Sequence, residues 1–230
     1  MPNIAIFGGT FNPIHWGHLL IAETAIDQFQ LDRIIWVPTF RSPHKANALL
    51  AFEHRLAMVQ RAIDPHPAFV VSAIEGQRQG ISYAITTLNT LQADEPNACW
   101  YWIIGNDAFQ SLPRWYASEA LMIQCTWIVA PRRTPHEDEQ KPEEKQSTGG
   151  DPANEKRILT PCHSHPSPIL STPVSSTPSL QPRWHRLQVP LIDISSTLVR
   201  QRCQEGLSIR YLVPEPVRCY ITAQKLYQMS

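Results

Sequence analysis

The stretch GGTFNPIHWGH, residues 8–18, follows the apolar, β-branched run IAIF (4–7) and leads into HLLIAETAIDQF (18–29), whose apolar spacing predicts an amphipathic helix. It is therefore a strand-to-helix turn, the place where α/β folds hold phosphate on backbone N–H groups. Its glycines are adjacent rather than spaced G-x-G-x-x-G, no G-K-[ST] follows, and His15 and His18 stand three apart where the helix begins. Residues i and i+3 share one face of a helix. An anion at this terminus would meet main-chain N–H groups, the helix's partial positive charge and imidazole donors together. Gly8 and Gly9 let a phosphate approach the backbone closely, and Thr10 adds a hydroxyl. A tight turn bearing surface histidines is the simpler reading of H-x-x-H alone; its coincidence with glycines, a hydroxyl and a strand-to-helix junction favours an anion site.

Outward from this turn, strand-like runs alternate with helical patterns, as in βαβ units around a parallel sheet with helices on both faces. The strands expected are IAIF (4–7), RIIWV (33–37), FVVSAI (69–74), YWIIG (101–105), TWIVA (126–130) and RLQVPLI (186–192). Helices are expected over FEHRLAMVQRAI (52–63), with Phe52, Leu56, Val59 and Ile63 as its apolar stripe, and over SYAITTLNTLQ (82–92). SSTLVRQRCQEG (195–206) has a Ser/Thr start and a Gly stop, and PEPVRCYITAQKLY (214–227) has prolines only at its opening. From Pro131 to Pro182 lie 10 of the chain's 21 prolines, so residues of roughly 133–183 read as a disordered or loosely held insertion in a single 1–230 domain. CHSH (162–165) inside it has no second ligand pair at metal-site spacing and reads as linker.

Composition narrows the chemistry. Lys+Arg and Asp+Glu balance at 20 each, which gives no basic excess to suggest nucleic acid or an anionic membrane as partner. The five cysteines are scattered, without a C-x-x-C pair, as suits a reducing compartment. No signal-peptide pattern or spanning apolar run is evident, so a cytoplasmic location is expected. H-E-x-x-H, a P-loop lysine and a G-x-S-x-G elbow are all absent, which argues against a zincin, a P-loop NTPase and a Ser-His-Asp hydrolase.

ISSTLVR (194–200) carries Ser195, Ser196 and Thr197 at a helix start and Arg200 one turn on. Capping explains the hydroxyls. It does not explain an arginine on the same face, and together they would suit a pyrophosphate. GGTFNPIHWGH and ISSTLVR resemble the paired signatures of the nucleotidylyltransferase superfamily, GTFDP-x-H-x-G-H and ISST-x-x-R. PTFRSPHK (38–45), ISYAITTL (81–88) and IIGNDAFQSLPRWY (103–116) are similar to blocks of the bacterial nicotinate-nucleotide adenylyltransferases. The likeness spans nearly all of the chain outside the insertion.

That resemblance implies a Rossmann-like sheet of nucleotidylyltransferase type. It also implies adenylyl transfer from ATP, with Mg²⁺, to nicotinate mononucleotide, giving nicotinate adenine dinucleotide and pyrophosphate. Gly8, Gly9, Thr10, Phe11, His15, His18, Ser196, Thr197 and Arg200 would then contact ATP, with His15, His18 and Arg200 catalytic. His44 and Lys45 would take the mononucleotide phosphate, and Gly105 and Asp107 its ribose. Trp115 would stack on the pyridine, with backbone N–H groups near Tyr83, Ala84 and Tyr116 receiving its carboxylate. No metal is expected on protein ligands, and a homo-oligomer is compatible with the sequence. Asn12 stands where the family usually has aspartate, and Ala84 where threonine is common. Other acceptors, nicotinamide mononucleotide first among them, and a non-catalytic nucleotide-binding regulator are the competing readings.

Overall fold

The computed structural model describes residues 1–43, 50–131, 182–190 and 192–228. Six strands, β1 (Asn3–Gly9), β2 (Arg33–Pro38), β3 (Phe69–Val71), β4 (Cys99–Gly105), β5 (Thr126–Ala130) and β6 (Trp184–Arg186), make one sheet in the order β3-β2-β1-β4-β5-β6. Every pairing in it is parallel. The strand order reverses between β1 and β4, so the crevice beyond their C-terminal ends is the topological switch point at which open α/β sheets bind ligands.

Parallel strands must bury both faces, and alternate residues sort them. Ala5, Phe7, Ile34, Trp36, Ile103 and Ile128 point into one core, closed by α1 (Trp16–Phe29), α2 (Phe52–Ile63), α7 (Ser196–Gln204) and α8 (Glu215–Ala223). Ile4, Ile6, Ile35, Val37, Trp100, Trp102, Ile104 and Trp127 point into the other, closed by α4 (Ala84–Asp94), α5 (Asn106–Ser111) and α6 (Ser118–Gln124). The expected Rossmann-like sheet with helices on both faces is present, and Trp100, Trp102 and Trp127 are core residues.

α1 presents Ala22 and Ala25 to the sheet and ends at Gln30, which takes a left-handed φ of 49° while its N–H bonds Ile26 O. α2 begins and ends where its apolar period predicts, and α8 packs upon it. Two strand expectations need correction. FVVSAI pairs only over Phe69–Val71, and Ile74 instead opens the short helix α3 (Ile74–Arg78). The last strand lies earlier than RLQVPLI: β6 is Trp184–Arg186, so only Arg186 of that run is in it, and the buried Leu187 extends the contact by donating its N–H to Val129 O of β5 at 2.9 Å. An apolar run of this length signals burial but does not by itself specify a ladder. The expected insertion, CHSH included, lies outside the described residues apart from Pro182 and Arg183.

Candidate active site

His15 is the N-cap residue of α1, with extended backbone, and its C=O accepts the His18 N–H at 3.0 Å. In return the His15 N–H donates to His18 Nδ1 at 3.3 Å. A ring nitrogen that accepts has no proton, so the neutral His18 ring carries its hydrogen on Nε2 and can donate from that side. The two imidazoles lie 3.8 Å apart, tilted by 32°. Gly17 makes this possible: a Cβ there would stand 3.1 Å from His15 Nδ1 and Cε1. Gly8 and Gly9 are the last residues of β1, paired with Val37 and Pro38. A Cβ on Gly9 would meet Phe11 Cζ at 2.8 Å. Phe11 has a left-handed φ of 46° and a buried ring that meets His18 edge-on at 5.1 Å, so its side chain supports the histidine from the core.

The remote helix docks directly on this turn. Ser195 caps α7 by accepting the Leu198 N–H at 3.1 Å, which leaves Ser196 to reach across and donate to Pro13 O at 2.8 Å. Arg200 donates from Nη1 to Asn12 O at 2.8 Å and from Nη2 to Thr197 Oγ1 at 3.2 Å. Asn12 is 8% exposed, and its Oδ1 accepts the Tyr227 hydroxyl at 2.7 Å. Burial raises the Tyr227 pKa, only partly opposed by Arg200 and Arg55, and keeps it a neutral donor. The side-chain carbonyl that asparagine shares with aspartate thus has a defined partner, supplied by a residue that no sequence pattern singled out.

Tyr83 is the N-cap of α4 and Ala84 its first residue, where helical N–H groups lack intrahelical partners. Tyr83 and Tyr116 rings are 4.6 Å apart. Trp115 follows a 3-10 turn at Leu112–Arg114, packs half-buried against the second core and donates from Nε1 to Ser111 Oγ at 3.0 Å. Gly105 ends β4 and is the N-cap of α5; Asp107 lies in that helix's first turn, so it is not the capping residue. His44 and Lys45 lie outside the described residues.

The sequence reading missed a buried charge. Arg55, 1% exposed, occupies the apolar stripe of α2 three residues after Phe52. It donates from Nε to Leu50 O at 2.9 Å, and from Nη1 to Thr10 O at 2.9 Å and Thr39 O at 2.7 Å. Burial lowers its pKa, countered in part by Tyr227, Glu53 and Glu75. Glu75 is also buried; it accepts the Phe40 N–H through Oε2 at 3.1 Å and the Thr87 hydroxyl through Oε1 at 2.9 Å. A charged residue on the buried face of a helix is itself a sequence signal, because such a group is retained only with partners.

The chain is similar to known proteins in both sequence and fold. A family model described as cytidylyltransferase-like matches residues 6–202. A Nostoc protein named as a nicotinate-nucleotide adenylyltransferase is 45% identical over 227 residues, covering 99% of this chain and 98% of its own. A relative of the same name from Herpetosiphon aurantiacus is 36% identical, with 99% of each chain covered. Nicotinic acid mononucleotide adenylyltransferase of Plasmodium falciparum, solved with NaAD, shares the fold at a TM-score of 0.68 and 18% identity, over 99% of this chain and 98% of that one. The fold and the turn define a cytidylyltransferase-like nucleotidyltransferase. Within that class the chain belongs to the nicotinate-nucleotide adenylyltransferase family.

Proposed function

We propose that this protein transfers the adenylyl group of ATP to nicotinate mononucleotide, a step of NAD biosynthesis. The mononucleotide's phosphate oxygen attacks the α-phosphorus, a P–O bond forms, the α–β bridging P–O bond breaks, and pyrophosphate leaves. The nucleophile is already an anion at neutral pH, so no general base is needed, and catalysis consists of positioning and charge stabilisation. His18 Nε2–H and His15 would stabilise the α-phosphate oxygens, with Gly8, Gly9, Thr10 and Phe11 contributing through the chain at the turn. Ser196, Thr197 and Arg200 would hold the leaving pyrophosphate. Tyr83, Ala84, Trp115 and Tyr116 would form the pyridine carboxylate pocket, Gly105 and Asp107 would take the ribose, and His44 and Lys45 the acceptor phosphate.

The observation that carries this reading is the docking of α7 on the turn, Ser196 on Pro13 and Arg200 on Asn12, which brings the starts of α1 and α7 together. Among the described residues no group of three or more His, Cys, Asp or Glu side chains could hold a metal ion. Magnesium would enter with ATP, as the counter-ion of its phosphates. Among the described residues no helix is long and apolar enough to cross a membrane. Pyrophosphate release from ATP, measured with nicotinate mononucleotide, nicotinamide mononucleotide and other phosphorylated acceptors, tests the assignment. Turnover with the nicotinate substrate, well above that with the amide, is expected; equal rates would remove the carboxylate pocket, and no release with any acceptor would favour a non-catalytic nucleotide-binding protein.

A further inference from the structure

Residues 39–41 join the two halves of the site. Thr39 N–H donates to Gly9 O at 2.8 Å, at the end of β1. Arg41 N–H donates to Ser82 Oγ at 3.2 Å and Arg41 O accepts the Ser82 N–H at 2.9 Å, immediately before the start of α4. The segment therefore touches the phosphate turn at one end and the acceptor pocket at the other. The Phe40 ring packs edge-on against Phe52 at 5.4 Å, and the backbone polar groups of the segment are held by side chains from outside it.

We propose that Arg55, opposed by Glu75, is a positioning residue that couples the ATP turn to the acceptor pocket through residues 39–41. The guanidinium takes the carbonyls of the segment, Thr39 O at 2.7 Å and Phe40 O at 3.4 Å, while Glu75 takes the Phe40 N–H from the opposite polarity. The same guanidinium holds Thr10 O, beside the phosphate turn, and Leu50 O, at the start of α2. One planar fork thus fixes backbone in two loops, the turn after β1 and both ends of the β2–α2 connection, which a lysine's single ammonium cannot reproduce. A guanidinium satisfied by neutral carbonyls also keeps its positive charge near the triphosphate, where it favours anions without touching them.

This inference rests on the adenylyl-transfer reading, and the two can fail separately. Wild-type turnover is measured first. In Arg55→Lys and Arg55→Met proteins shown to be folded by thermal melting, KM for ATP and KM for nicotinate mononucleotide should rise together, at least fivefold in the lysine variant and more in the methionine variant. A purely structural role would reduce the active fraction, lowering kcat with both KM values unchanged. Unchanged KM values, or a rise for one substrate alone, would overturn the proposal. Should the methionine variant not fold, the lysine variant and Glu75→Gln decide, the latter expected to raise both KM values at least twofold. If the wild type transfers no adenylyl group, the functional reading falls by itself, and Arg55 is judged by titration with ATP: a fivefold loss of affinity in the lysine variant supports it, and unchanged affinity overturns it.

Discussion

His18 has two tasks on one ring. Nδ1 accepts the His15 N–H and so caps α1, and the tautomer this enforces puts the ring hydrogen on Nε2, the donor proposed above for the α-phosphate. His18→Ala removes both. Losing the cap costs about 1 kcal/mol of stability. Losing a transition-state donor costs on the order of 3 kcal/mol, or roughly 10²-fold in kcat. Steady-state kinetics on variant protein with a normal circular dichroism spectrum should show that drop, and a near-wild-type rate would take the ring out of the chemistry. Asn12 reads differently once its contacts are known. Its main-chain carbonyl holds Arg200 and its side chain holds Tyr227, so both of its oxygens serve the assembly of the turn.

At the scale of elements, α8 is positioned by α2, through His54 Nδ1 and the Tyr220 hydroxyl at 2.9 Å and through Arg61 stacked 4.3 Å over the Tyr220 ring. Its first turn carries Glu215, which favours the helix dipole and pairs with Arg218. The Arg218 hydrogen bond, with its charge, lowers the Glu215 pKa from 4.5 to about 2. A pKa lowered by folding stabilises the native state above the unfolded value and is lost as pH falls through the folded one. The melting-temperature difference between wild type and Glu215→Gln should therefore be present at pH 6 and shrink as the pH falls from 4.5 towards 2. Because the pair is exposed, the difference should also shrink in high salt. A constant difference across that range would mean the pair does not act through charge.

Long elements with strong periodicity were legible in the sequence, and so were the histidine turn and the Ser-Arg helix, because their side chains recur at fixed local spacing. α2 is the clearest case, matched from Phe52 to Ile63. The short helices α3, α5 and α6 were not foreseen: five to seven residues hold too little pattern to exceed local ambiguity. The bonds of Tyr227 to Asn12 and of Arg55 to Thr10 were equally hidden, since each joins residues remote in sequence. Only the anomaly of an arginine within an apolar stripe pointed towards the second.

For the whole molecule, the proposed site draws on β1, β4, α1, α4 and α7, so a ligand bound there would stabilise contacts across both cores. A ligand bound only by the native state adds about 2.7 kcal/mol of stability at a hundred times its Kd. For a domain of this size that corresponds to a rise of roughly 5–10 °C in melting temperature. ATP with magnesium should produce such a shift in differential scanning fluorimetry, and a flat response at saturating ATP would argue against a nucleotide site spanning these elements.

The closing of that crevice also has an order in time. The turn is synthesised early, yet Asn12 meets Arg200 across 188 residues and Tyr227 across 215. At about 5–20 residues per second, a ribosome needs roughly 10–40 s to supply the final partner. Until Arg200 and then Tyr227 have been made, the turn lacks the bonds to Asn12 that it has in the finished fold. A message cut short just before the codon for Tyr227 would leave a product with the whole sheet and Asn12 Oδ1 without its tyrosine.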